Sequence, residues 1–139
     1  MKPHALAIVA ALGLGGAGLL AARPVQAASD ASRGERVHAR CLACHALAYD
    51  RVGPRHCGLL GRKAGTVPGF DYSTAMKRSG LTWDERTLRR FLAAPTKVVP
   101  GTTMTYDGVS DRQELADLIA YLRHADETRA CRGGDGTRR

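Results

Sequence analysis

The chain has 139 residues, 21 of them basic and 13 acidic, for a formal net charge of +8. That length holds one domain of ordinary size, and the positive balance favours acidic partner surfaces. The arginines are scattered and no recognition motif accompanies them, so no nucleic-acid partner is expected.

Residues 1–27 read as a cleaved secretory signal peptide. A short basic start, Met1-Lys2-Pro3-His4, precedes an apolar run from Ala5 to Ala22, and Val25-Gln26-Ala27 places small residues where a signal peptidase reads. The run approaches the length of a membrane span. However, Gly13, Gly15, Gly16 and Gly18 weaken it as a helix, and no flexible tether precedes the folded region near Asp30. Cleavage is therefore expected over anchoring, with no stable membrane insertion afterwards. The mature chain would carry a net charge of +6, with a domain over residues 28–129 and a tail over 130–139.

The elements follow in order. A first helix is expected over about 31–44. A glycine- and proline-rich stretch from Val52 to Gly69 reads as ordered loop. Thr82-Trp83-Asp84-Glu85 has the form of a capping box opening a helix over 83–94, with Leu88, Phe91 and Leu92 inward and Pro95 as its stop. Ser110-Asp111-Arg112-Gln113 opens another over 111–126, where Leu115, Leu118, Ile119 and Leu122 recur at i, i+3, i+4 and i+7. No segment alternates as a strand. The fold class is all-α, with long loops of the kind that wrap a ligand in small domains. Aromatic residues make up only 5% of the chain, so its core is thin unless a bound group fills it.

Cys41-Leu42-Ala43-Cys44-His45 carries the chemistry. On a helix, residues i and i+3 share a face, so two thiols can add to two vinyl groups on one porphyrin edge while the adjacent imidazole reaches the iron. That is the c-type haem attachment signature. The CxxC fragment alone also fits a thioredoxin-like redox pair or half a zinc site. The first needs a βαβ setting and the second a further ligand pair, and neither is present. A second axial ligand must come from downstream. Outside the motif and the signal, the candidates are His38, His56 and His124, with Met76 and Met104. Met104 follows the turn Val99-Pro100-Gly101-Thr102-Thr103, which can hold a side chain in place. A thioether favours Fe(II), so His/Met ligation raises the potential.

These motifs together resemble one family, the class I c-type cytochromes, that of mitochondrial cytochrome c and its bacterial relatives of similar size. The resemblance runs from about Asp30 to Ala125. It rests on Gly34, Cys41-x-x-Cys44-His45, Gly53-Pro54, Gly58-Leu59-Leu60-Gly61-Arg62-Lys63, Pro68-Gly69-Phe70-x-Tyr72, Leu81-Thr82-Trp83, Pro100-Gly101-Thr102-x-Met104 and Ala116 to Leu122. It implies one covalent haem c, held by Cys41 and Cys44, with His45 and Met104 as iron ligands. Pro54 would accept a hydrogen bond from the His45 ring, fixing its tautomer. Arg62, Tyr72 and Trp83 would hold the propionates, Phe91 would line the pocket, and Gly34 would let the first helix cross the last near Leu118 and Tyr121.

Several positions depart from the family pattern. Phe91 stands where a Tyr usually bonds the methionine sulfur, and Met76 where an Asn usually sits near an internal water. His38 replaces the usual aromatic of the first helix and reads as packing rather than ligation. The lysine ring is thinned at Thr96, Thr103, Ser110 and Asp111, although Arg40 and Lys97 stay basic. The loop between His45 and Pro54 is shorter than in the mitochondrial proteins. Cys57 and Cys131 form an even remainder in an exported chain. The implied fold brings their segments near one another, so a disulfide is expected.

With both axial positions filled, the expectation is a periplasmic, monomeric electron carrier rather than an enzyme. Its partners would be redox proteins: a membrane cytochrome complex, a terminal oxidase or a periplasmic dehydrogenase. The alternatives are a subunit held in a larger oxidase or dehydrogenase, and a haem peroxidase-type enzyme.

Overall fold

A computed structural model describes residues 27–133. The expected signal segment, apart from Ala27, and residues 134–139 of the expected tail lie outside the described residues. Among the described residues six helices follow in order: α1 (Ala31–His38), α2 (Thr74–Arg78), α3 (Glu85–Ala93), α4 (Pro95–Val98), α5 (Arg112–Ala125) and α6 (Arg129–Arg132). Extended pairing among the described residues is limited to one isolated antiparallel bridge, between Lys63 and Thr82. The all-α architecture with long loops matches the sequence reading.

Each main helix begins at an aspartate. Asp30 accepts from the Arg33 N–H at 2.8 Å and opens α1. Asp84, not Thr82, caps α3: its carboxylate accepts from the Thr87 N–H at 2.7 Å, and the Thr87 hydroxyl accepts from the Asp84 N–H at 2.9 Å. Thr82 is otherwise engaged, because residues 81–83 pair with 61–64. Ala64 N–H donates to Leu81 (2.8 Å), Trp83 N–H to Arg62 (2.9 Å) and Gly61 N–H to Trp83 (2.9 Å). In α5 the cap is Asp111 rather than Ser110. One of its carboxylate oxygens accepts from both Gln113 and Glu114 N–H groups, at 2.7 and 2.8 Å.

The first helix stops earlier than expected. Its α-helical part ends at His38, a 3-10 turn covers Ala39–Cys41, and the chain then turns so that the Cys41 carbonyl accepts from both Cys44 and His45 N–H groups. Where only a tail was expected, Arg129–Arg132 forms the short helix α6.

The core lies where α1 crosses α5 and α3 packs against α5. Leu88, Leu118 and Ile119 are almost wholly buried, with Val37, Phe91, Leu115 and Leu122 around them. The crossing is close because Gly34 has no side chain: a Cβ there would fall 2.0 Å from the Asp117 carbonyl oxygen and 2.7 Å from the Tyr121 Cβ. A polar clasp lies beside it. The buried Asp117 carboxylate accepts from Asp30 N–H (2.7 Å), Arg33 Nε (2.7 Å) and Nη2 (3.0 Å), and Gln113 Nε2 (3.0 Å). Arg33's hydrogen bonds, foremost, hold the Asp117 pKa down at about 2. Among the described residues no helix is long and apolar enough to cross a membrane.

Candidate functional site

One cavity of about 240 Å³ collects the chemistry-bearing residues from every part of the chain. Cys41, Cys44 and His45 enter from the turn after α1, Pro54 and Arg62 from the loop, Tyr72 from the approach to α2 and Met76 from α2 itself. Trp83, Phe91 and Met104 complete the wall. All nine residues to which the sequence reading assigned contact with the cofactor line this one space. A second, wide-open groove near Ser32, Glu35 and Tyr121 holds neither cysteine nor Met104.

The two cysteines are free thiols, Cys41 half-buried and Cys44 exposed. The turn after Cys41 carries them three residues apart on the cavity's rim, so the spacing argument survives although the segment is not α-helical. Next to them, His45 Nδ1 lies 2.7 Å from the Pro54 carbonyl oxygen. Only the tautomer with hydrogen on Nδ1 can make that bond, which leaves the Nε2 lone pair free for a metal. Burial pushes the His45 pKa down and keeps the ring neutral, as ligation requires. Gly53 presses against the same ring: a Cβ there would lie 2.3–2.6 Å from its atoms. Gly53 also donates its N–H to the Cys44 carbonyl at 2.7 Å, tying this loop to the cysteine turn.

Further along the chain, the turn Val99 to Thr102 closes through a 3.0 Å backbone hydrogen bond, and Gly101 adopts φ +86°. Met104 N–H then donates to the Thr102 hydroxyl at 3.2 Å, so the half-buried Met104 side chain leaves an anchored backbone. Met76 and Phe91 are both buried in the cavity wall, and Trp83 packs against Phe91 with ring centroids 4.9 Å apart. Arg62 is held by two carbonyls, donating from Nη1 to Cys57 and from Nη2 to Arg55, each at 2.9 Å. Burial lowers its pKa from the usual arginine value, yet it remains a guanidinium cation, half-buried at the cavity edge.

Cys57 and Cys131 are joined by a disulfide, with Cα atoms 5.3 Å apart. Beside it, Gly58 N–H donates to the Asp126 carboxylate at 2.7 Å, so the end of α5 is pinned to the loop that positions Arg62.

The sequence reading weighed His56 only among the candidates for the second axial ligand. It also lines the cavity, and its ring stacks on His45 with centroids 4.3 Å apart and planes 27° from parallel.

The residues fit a covalent haem. Two free thiols flank a neutral imidazole with one nitrogen already satisfied, a thioether enters the same cavity, and its buried walls are largely apolar. Together the fold and the site define a small all-helical protein built to enclose one covalently attached haem.

The comparisons with known proteins agree. The family model for cytochrome c matches residues 31–126. The chain is 47% identical to cytochrome c2 of Blastochloris viridis over 100 residues, covering 70% of this chain and 79% of that one. It is 47% identical to cytochrome c2 of Rhodomicrobium vannielii over 110 residues, covering 77% and 88%. Among solved structures, cytochrome cH from Methylobacterium extorquens matches with a TM-score of 0.68 at 46% identity, covering 69% of this chain and 99% of that one. The chain belongs to the cytochrome c family. It carries covalently attached haem c and acts as an electron carrier that meets redox partners, not as an enzyme.

Proposed function

We propose that the chain, exported and freed of residues 1–27, is a periplasmic single-electron shuttle. Thioethers from Cys41 and Cys44 attach the haem, His45 Nε2 and Met104 Sδ ligate its iron, and Arg62, Tyr72 and Trp83 meet its propionates. Bound there, the haem supplies one-electron oxidation and reduction at the iron. The protein's own part is to hold both axial groups in place, exclude water with Phe91 and Met76, and offset propionate charge with Arg62. The observation that carries this reading is the His45 Nδ1 to Pro54 contact of 2.7 Å within the cavity that also holds Met104. It leaves the Nε2 nitrogen as the free ligand.

The surface beside the attachment turn supports docking by apolar contact. Arg51 donates to the Leu42 carbonyl and Gly53 to that of Cys44, which folds residues 51–53 against 42–44. Leu42, Tyr49 and Val52 stand 46, 63 and 82% exposed along this segment. A membrane cytochrome complex, a terminal oxidase or a periplasmic dehydrogenase presenting an apolar centre with an acidic rim fits it.

The test is to express the full chain in a host that attaches haem, fractionate the cells, and add carbon monoxide to the reduced protein. A monomer in the periplasmic fraction whose spectrum carbon monoxide leaves unchanged is expected. Retention in the membrane fraction, or a carbon monoxide adduct, would overturn the reading.

A further inference from the structure

Beside His45 the fold places two more histidines, His38 buried and His56 half-buried. His38, on α1, is 2% exposed, and its Nε2 lies 3.0 Å from Nδ1 of His56. His56 in turn stacks on the His45 ring at 4.3 Å. Two carbonyl contacts hold this loop: His56 N–H donates to Ala46 at 3.0 Å and Cys57 N–H to Leu47 at 2.8 Å. His38 is braced on its other side by Tyr121, with ring centroids 4.9 Å apart.

Packing alone does not call for this pair. An apolar side chain would fill either position without a polar atom to satisfy. What the pair provides is a fixed ring plane against the axial imidazole. The Pro54 hydrogen bond anchors one edge of His45, but a single hydrogen bond leaves a ring free to tilt about the line through its donor. Contact on the ring face removes that freedom.

We propose that His56, oriented by its hydrogen bond to His38, is a positioning residue that sets the plane of the His45 imidazole over the haem iron. The proposal rests on His45 being an axial ligand. The orientation of an axial imidazole governs how the unpaired spin of Fe(III) spreads over the porphyrin, so haem-methyl proton shifts of the oxidised holoprotein read it directly. The reduction potential is a second readout.

The test compares the natural holoprotein with two variants. The double substitution His38→Phe with His56→Leu keeps apolar bulk and strands no polar atom, while His38→Gln retains a partner for His56. The double variant should keep the weak sulfur–iron band, redistribute the haem-methyl shifts and move the potential. His38→Gln should stay near the natural pattern. A double variant that overlays the natural protein in both readouts would reduce the pair to space filling and overturn the proposal. Should the double variant fail to take up haem, His38→Leu alone breaks the hydrogen bond and is read the same way. Failure of the underlying assignment would look different: in the natural oxidised protein, the His45 ring protons would then lack the large shifts of an iron ligand.

Discussion

Replacing Gly34 with Ala probes the crossing on which the whole fold depends. The added Cβ would meet the Asp117 carbonyl oxygen at 2.0 Å and its carbon at 2.5 Å, where ordinary contact begins near 3.4 Å. Backbone atoms cannot rotate aside, so α1 and α5 must part by more than an ångström. The helix preference of Ala over Gly returns about 1 kcal/mol. Against it stand overpacking, about 1–3 kcal/mol, and the stretching of Arg33 and Asp30 hydrogen bonds to the Asp117 carboxylate, about 1.5–3 kcal/mol for a charged group. The net loss is about 2–4 kcal/mol, since the two penalties act on one crossing and do not fully add. Guanidinium unfolding of the holoprotein, followed by fluorescence of Trp83, should show a lower midpoint with an unchanged slope. A Gly34→Ala protein as stable as the natural one would refute the close-crossing argument.

Three further outcomes follow from the same geometry. Cys57→Ser with Cys131→Ser should lower stability by about 2 kcal/mol, less than the ~4 kcal/mol the entropy model gives for so long a loop, because the haem already tethers the chain near Cys41 and Cys44; calorimetry of the holoprotein reads it. Asp117→Asn should cost about 2 kcal/mol at neutral pH. Because the folded pKa of Asp117 lies below its ordinary value, its contribution is complete above about pH 4 and is lost toward about pH 2. Acid titrations of the two proteins should therefore converge as pH falls, and parallel curves would contradict the assignment. Docking to a redox partner should fall less steeply with ionic strength than for mitochondrial cytochrome c, because the basic ring is thinned around an apolar edge. Rates measured across salt decide it.

The parts of the site that were legible in the chain are those whose chemistry depends on local spacing. Cys41, Cys44 and His45 are adjacent, and the Pro-Gly turn before Met104 announces a held side chain. The helices over 85–93 and 112–125 were legible through apolar periodicity. Their caps were not: Thr82 and Ser110 have the right pattern, but backbone pairing with residues 61–64 engages Thr82, and the Asp111 carboxylate reaches two N–H groups where a hydroxyl reaches fewer. The contacts of His56 with His45 and His38 were missed because a histidine in a Gly/Pro loop has no periodicity and those partners are distant in sequence or on a turn. A signal was present, however: His38 occupies an apolar face of α1, where a buried imidazole needs a polar partner. Asp117 was hidden for the converse reason, since an acid on a helix reads as solvated unless the opposing Arg33 is known to reach it.

Axial ligation by His45 and Met104 is the claim on which the rest depends, and the oxidised spectrum of Met104→Ala tests it most directly. The weak long-wavelength band that reports sulfur–iron bonding should vanish and the reduction potential should fall, while Met76→Leu, altering the other methionine of the same cavity, should leave both intact. A band that survives in Met104→Ala and disappears in Met76→Leu would contradict the account.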